Sequence, residues 1–409
     1  MKRASGTVRV LLAAALGAGM CAAAPAQPVD VSAPAPARQR PKRVLLDMEL
    51  RASVIEPLSI DQRAVVYQDE SGRAREVRTS QVAAIIPYLA ESGATAVLGS
   101  EAEGLLILAD GQRFPGRRSG APAEQDVLAW EHPTLGSVAA PLDLVSEVRY
   151  MLFLPSGDPV FLEPAPRDRA LLVNGDRLEG FIESLGDPVR IETSSGDVEL
   201  PAARVAGARL ANPRQEQRGL ALWLEDGTVA RVRSLETDGR GGASATLADA
   251  QSARLSLDQI IGVVFDGSRL RSLARIAPQE QSAAEGRPLL DPMRIADDFW
   301  APAVLDAPSI ELPGPMQVMW TLPEGATRLG GVGRLPRSSW VWGDCELVIE
   351  VDEQEVLRER LHRGRPTIEF SVPVRGRELT IRVEPGAYGP IQDRVILERA
   401  LILLAPGEG

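Results

Sequence analysis

Between Val44 and Leu273 the chain repeats a short β pattern, and this constrains its fold more than any other feature. Gly136-Ser-Val-Ala-Ala-Pro-Leu-Asp-Leu-Val145-Ser-Glu-Val148 runs parallel to Gly196-Asp-Val-Glu-Leu-Pro-Ala-Ala-Arg-Val205-Ala-Gly-Ala208. Looser copies lie at Gly72 to Ile85 and Ala253 to Val263. Ahead of the last three copies stand hairpin turns at Asp110-Gly111, Asn174-Gly175 and Asp226-Gly227. Such dipeptides tolerate the positive φ that tight hairpins need. Each unit is therefore a hairpin, a strand, a turn, a strand and a polar turn into a last apolar strand, over roughly fifty to sixty residues. One hairpin is marginal in water, whereas five short strands can close around a shared core. The expectation is up to four small SH3-like or Sm-like barrels, two in residues 44–155 and two in 166–275. A pair of larger β-domains, each built from two units, fits the same pattern.

A different β grammar follows. Short apolar strands are expected at Met316–Trp320, Glu346–Val351, Thr367–Val372, Glu378–Val383 and Val395–Leu404. In the third and fourth of these, apolar and polar residues alternate with period two, as a sheet does when one face packs on a second sheet. Residues 276–300 read as a linker into this region, because Pro278 to Arg287 is polar and aperiodic. Asp297-Asp298-Phe299-Trp300 could lay an aromatic edge on the sandwich. Helix content should be low, with Ser80 to Leu89 the one modest candidate, and even that segment fits a strand ending at Pro87.

The order of signals in residues 301–405 resembles the NPCBM family, carbohydrate-binding modules first met beside family 98 glycosyl hydrolases. The pieces that carry the resemblance are Leu329-Gly330-Gly331-Val332-Gly333, the hairpin from Val348 to Leu357, the strand from Gly376 to Val383, and Gly389-Pro390-Ile391-Gln392-Asp393-Arg394-Val395 to Ala400. The resemblance implies a galactose-binding-like jelly roll whose relatives often bind galactose-type glycans through loops at one end. This chain lacks the family's opening His between Asp306 and Met316, and Leu397 stands where the family has Trp.

The N-terminus carries an export signal. Lys2, Arg3 and Arg9 precede the apolar run Val10 to Met20, and Ala24-Pro25-Ala26 offers a small-x-small cleavage site. Residues 1–26 read as a signal peptide and 27–43 as an extended Pro/Ala-rich spacer. The expected address is periplasmic or extracellular, with no integral span left after cleavage. Removal of those three cations makes the chain three units more negative than its formal −11, which disfavours nucleic acid as a partner. Cys345 would be the sole remaining cysteine, so no intramolecular disulfide forms.

Catalytic and cofactor signatures do not emerge. His132 and His362 are not in a zinc-binding spacing and read as solvated surface residues. The chain has no G-x-S-x-G elbow, and Cys345 reads as a small buried filler. The chain is thus expected to be non-enzymatic and cofactor-free. One constellation points to a ligand: Trp340, Trp342 and Asp344 facing Tyr388, Gln392, Asp393 and Arg394. Aromatic faces stack on pyranose rings while Asp, Gln and Arg fix hydroxyls. Against this, Trp340 and Trp342 alternate, which in a strand would put both on one face as core. The expected partner is a glycan or a cell-envelope protein.

Overall fold

A computed structural model describes residues 41–88, 102–119, 126–160, 162–163, 165–248, 251–283, 291–296 and 304–406. The signal peptide, most of the spacer and Asp297 to Trp300 lie outside the described residues. The described chain is nearly all β and antiparallel.

The first barrel comprises Arg43–Asp47, Ala52–Ile60, Ala64–Asp69, Ala74–Arg78 and Val82–Pro87, with a 3₁₀ turn at Thr79–Gln81 before the fifth strand. Its first strand pairs with both the second and the fifth. The same plan recurs in the barrels opened by Gly104–Leu108, Asp168–Leu172 and Leu220–Leu224 and closed by Val145–Arg149, Val205–Arg209 and Ile260–Val264. Gly111, Gly175 and Gly227 take φ of 86°, 90° and 90° at the first hairpins, and their N–H groups donate to Leu108, Leu172 and Leu224. In the first barrel Leu50 fills the equivalent place at φ 57°, a conformation that costs a side-chain-bearing residue. In the segment from Ser80, of its two readings the strand ending at Pro87 is the one found: Val82–Pro87 is a strand whose first five residues are all buried.

The barrels pair in a nested order. Barrel two joins barrel three through their fifth strands, with Val148 opposite Ala208. Barrel one joins barrel four likewise, with Ile85 opposite Val263. Val82–Pro87, Val205–Arg209 and Ile260–Val264 are largely apolar runs without alternation, the pattern of strands buried on both faces, whereas Val145–Arg149 buries Glu147 between the guanidinium groups of Arg149 and Arg209. A Cβ at Gly207 would sit 2.9 Å from the Val148 carbonyl oxygen, so a glycine there permits the close approach. Barrel two also meets barrel four, where Val229 pairs with Arg113.

His132 corrects a sequence expectation at this last contact. It is 3% exposed, not a surface residue. Its Nδ1 accepts from the N–H groups of Thr134 and Leu135 at 3.0 and 2.9 Å, leaving Nε2 as the protonated nitrogen that donates to Thr228 Oγ1 at 2.7 Å. Burial holds its pKa below the ordinary 6.5, while Asp226 nearby pulls the other way.

The C-terminal region is a sandwich of two antiparallel sheets. One runs Arg294–Ile295, Ile310–Pro313, Arg394–Leu404, Ala326–Arg334, Thr367–Pro373; the other runs Glu280–Ala283, Met316–Thr321, Glu378–Pro385, Asp344–Val351, Gln354–His362. Between them lie Trp320, Leu347, Ile349, Phe370, Ile381, Val395 and Leu397. Leu397 is fully buried, so it fills a core position, and so does Cys345, whose thiol burial pushes up to about 12. Within the expected linker, Glu280–Ala283 forms an edge strand on Met316–Met319. An edge strand needs one buried ladder and no apolar alternation, so polar composition hid it.

Barrel four runs directly into the sandwich, because Leu270–Ser272 pairs with Leu401–Leu403. Leu46, Leu50, Ile86, Trp223 and Val264 of barrels one and four bury against Val304, Leu305, Leu401 and Leu403. Leu50 lies so close to Gly330 that a Cβ at Gly330 would come within 2.6 Å of its Cβ. The unfavourable φ of Leu50 is thus offset by apolar burial in the joint.

Candidate functional site

Two loops meet at one end of the sandwich. The first enters the strand Asp344–Val351 through a 3₁₀ turn at Arg337–Ser339, and the second links Glu378–Pro385 to Arg394–Leu404. Backbone bonds hold them together. Gly386 N–H donates to the Asp344 carbonyl at 2.7 Å, and Asp344 N–H donates to Asp393 Oδ1 at 3.2 Å. A Cβ on Gly386 would fall 2.2 Å from that same Asp344 oxygen, so only glycine fits there.

Trp340 and Trp342 do not share a face. They sit in a turn, where positions two apart diverge, and the period-two argument fails for that reason. Trp340 is half-buried against the core, its Nε1 donates to the Leu335 carbonyl at 3.0 Å, and the Arg337 guanidinium lies 5.6 Å over its ring. Trp342 is 52% exposed and Tyr388 is 56% exposed, with ring centroids 6.1 Å apart and planes at 87°. An edge-to-face pair of this kind is held by the ring quadrupoles. It leaves ring surface open to solvent.

Asp344 is 2% exposed and acts as an anchor. Arg360 Nε donates to its Oδ1 at 2.7 Å and Nη2 to its Oδ2 at 2.5 Å, and Ala387 N–H donates to Oδ2 at 3.1 Å. These bonds, led by Arg360, hold the Asp344 carboxyl below the usual range. Asp393 is equally buried, yet its Oδ2 has no hydrogen-bond partner among the described residues. Burial pushes its carboxyl up to about 6, and the Asp344 carboxylate adds to the rise. Gln392 is exposed at φ 58°. Arg394 is engaged by Glu311 on the next strand, at 2.6 Å.

Of the seven residues singled out from sequence, the structure therefore brings Trp342, Tyr388 and Gln392 to the surface of these two loops. Asp344, Asp393 and Trp340 lie beneath as supports, and Arg394 is drawn toward Glu311. Sequence reasoning missed Arg360, which lies across the hairpin from Glu346, and His362, which lies across from Asp344. Counting outward from the Asp352-Glu353 turn, where both residues take positive φ, misses them by one residue, because the register shifts between Ile349 and Glu350. It also missed Val341 and Ile391, 67% and 53% exposed on the same loops.

Among the described residues no group of three His, Cys, Asp or Glu side chains is placed to hold a metal ion, and no helix is long and apolar enough to cross a membrane. No family model and no curated protein matches the chain. Among solved structures it is similar to CBM51 from Clostridium perfringens GH95 in complex with methyl-galactose. That likeness has 11% identity and a TM-score of 0.26, over 32% of this chain and 99% of the other. It is also similar to CBM51-2 in complex with GlcNAc and INT domains from Clostridium perfringens ZmpB, with 14% identity and TM-score 0.28 over 45% and 43%. A third likeness is to the M60 catalytic domain with the CBM51-1 and CBM51-2 domains of ZmpB, at 9% identity and TM-score 0.27 over 88% and 49%. The chain spans less than half the length of the last two. At these scores the likenesses carry nothing about ligand or activity.

Proposed function

We propose that this is an exported, non-enzymatic modular protein that binds glycan through the loop end of its C-terminal sandwich, with the four barrels as a platform that presents it. The observation that carries this reading is the exposed Trp342–Tyr388 pair on two loops tied through buried carboxylates, Asp393 accepting from Asp344 N–H and Asp344 from Arg360. A pyranose ring has one apolar face and a rim of hydroxyls, so it needs an aromatic surface beside fixed polar groups. Trp342 and Tyr388 offer the first; Arg360, Gln392 and the Tyr388 hydroxyl offer the second. The resemblance of residues 301–405 to the NPCBM family, and through it to modules of family 98 glycosyl hydrolases, agrees with a galactose-type ligand.

A second reading has its own observation. Val341 and Ile391 are aliphatic and exposed beside the aromatic pair, which suits a cell-envelope protein partner at the same surface. A glycan screen on the full chain separates the two. Retention of galactose-type glycans by the wild type, lost in Trp342→Ala, supports the first reading; absence of retention across the screen overturns it.

A further inference from the structure

We propose that a cleft at the margin of the joint between barrels one and four and the sandwich is a second binding site, and that it takes a small amphipathic monocarboxylate, an apolar chain or ring ended by one carboxylate. The inference is independent of the glycan reading and of the loop end. The joint closes around Trp223 but not at this margin. Met48 of barrel one, Leu220 and Phe265 of barrel four and Leu270 at the entry to the sandwich are only half-buried here. They line a cleft of about 510 Å³, with buried Ala83 and Leu403 beneath. That volume falls in the range of small-molecule sites, which favour the seams between domains. The walls are tied across the joint. Phe265 N–H donates to the Ala83 carbonyl at 3.2 Å, Gln62 Nε2 donates to the Arg233 carbonyl at 3.0 Å, and Leu270 pairs with Leu403. The cleft is therefore a fixed feature of the folded chain.

The rim decides the ligand class. Its charged groups are Arg233, Arg269 and Asp266. Arg233 sits at a β-bulge in Val229–Thr237, between the pairing of Val232 with Leu247 and that of Ser234 with Thr246. Bulges lie at the matching place in the second strands of barrels one and three, where the extra residues are Leu58 and Glu183. A bulge re-aims the side chain it carries, so the repeat supplies the geometry and, of these three, barrel four alone supplies a cation. The Arg233 guanidinium is exposed and makes no hydrogen bond or ion pair among the described residues. Arg269 commits Nε to the Leu404 carbonyl at 3.2 Å and keeps both Nη groups. Asp266 Oδ1 accepts from the N–H and the hydroxyl of Ser268 at 3.1 and 2.5 Å. Glu216 is paired with Arg271 at 2.7 Å and is not part of the rim. Two guanidinium groups against one carboxylate leave one positive charge, which one ligand carboxylate balances through charge-assisted hydrogen bonds. The apolar body of such a ligand covers the four half-buried side chains, and burial of that surface is favourable.

The test is calorimetric titration of the full chain with octanoate, octanol and acetate, which separate the whole ligand from its apolar body and its head group. The wild type is expected to bind octanoate saturably and roughly tenfold or more tightly than either of the others. Its melting temperature should rise with octanoate concentration, because the ligand binds only the folded joint. Arg233→Leu, which copies the bulge of barrel one, should weaken octanoate roughly tenfold and leave octanol unchanged. Ser80→Trp, placed at an exposed position on the rim, should fill the cleft and abolish octanoate binding while the unliganded melting temperature stays at the wild-type value. Trp342→Ala should bind octanoate as the wild type does. Loss of octanoate in Trp342→Ala would put the acid at the loop end and overturn the inference. Equal affinity for octanoate and octanol would overturn it by removing the role of the carboxylate. Unchanged octanoate binding in either Arg233→Leu or Ser80→Trp, or no saturable binding by the wild type, would overturn it as well.

Discussion

The molecule carries two apolar surfaces rich in large side chains, and they meet opposite fates. At the joint of barrels one and four with the sandwich, Trp223 is 4% exposed and lies among Leu46, Leu50, Leu401 and Leu403. At the sandwich loop end, Trp342 is 52% exposed and nothing in the described chain covers it. The other barrel pair follows the rule of the joint, because Val160 and Leu162 pack onto Leu171 and Ala206. Among the described residues, four of the eight exposed large hydrophobics, Val341, Trp342, Tyr388 and Ile391, fall on the two site loops, a clustering that scattered surface residues do not produce.

The largest expected effect comes from breaking the covered surface. Trp223→Ala should cost about 3–5 kcal/mol, the usual cost of removing a buried aromatic. It should lower the melting temperature and open the chain between barrel four and the sandwich to early limited proteolysis. An unchanged melting temperature would mean that the joint is not a packed core.

The next effect concerns the floor of the uncovered surface. Asp393 is raised from 3.8 to about 6 in the folded chain, so its ionised form is disfavoured there. The folded state then binds the proton more tightly than the unfolded state, and stability falls as pH rises from about 4 to about 6 and stays lower above. Asp393→Asn keeps an acceptor for Asp344 N–H without the charge, and should stabilise the chain by about 2–3 kcal/mol at pH 8. The gain should shrink toward nothing near pH 4, as read by denaturant unfolding at both values. A gain equal at both would place the charge elsewhere.

A smaller effect of opposite sign sharpens the comparison. His132 has a folded pKa below its unfolded 6.5, so the folded state resists protonation. Its contribution is present above the unfolded value and is lost as pH falls below it. Between pH 7 and pH 5 the contact of barrels two and four at Thr228 should loosen while the sandwich loop end tightens. Site-resolved hydrogen exchange at the two pH values should show opposite trends at Thr134–Leu135 and at Asp344; parallel trends would contradict the assignment.

Much of the fold could be read in the sequence because its signals are local. The Asp-Gly and Asn-Gly turns mark three first hairpins, and unbroken apolar runs such as Val82 to Ile86 mark strands buried on both faces. The nested pairing could not be read, since nothing near Ile85 says that its neighbour is Val263. His132 was misjudged for the same reason: its burial depends on Thr228, on another barrel. In the candidate site the loops and the exposed aromatics could be found by residue type, but the division of labour could not. Trp340 and Trp342 look equivalent in sequence and are separated by a turn that period-two counting does not describe. Arg360 resembles any other arginine on a charged strand until its cross-strand anchor, Asp344, is known to be buried.

The most direct test is one substitution measured two ways. Trp342→Ala should shift stability by no more than about 0.5 kcal/mol, as for a surface position, while glycan retention by the full chain is lost. A loss of about 3–5 kcal/mol with or without ligand would make Trp342 a core residue like Trp223 and contradict the account. So would a stable variant that retains glycan as the wild type does.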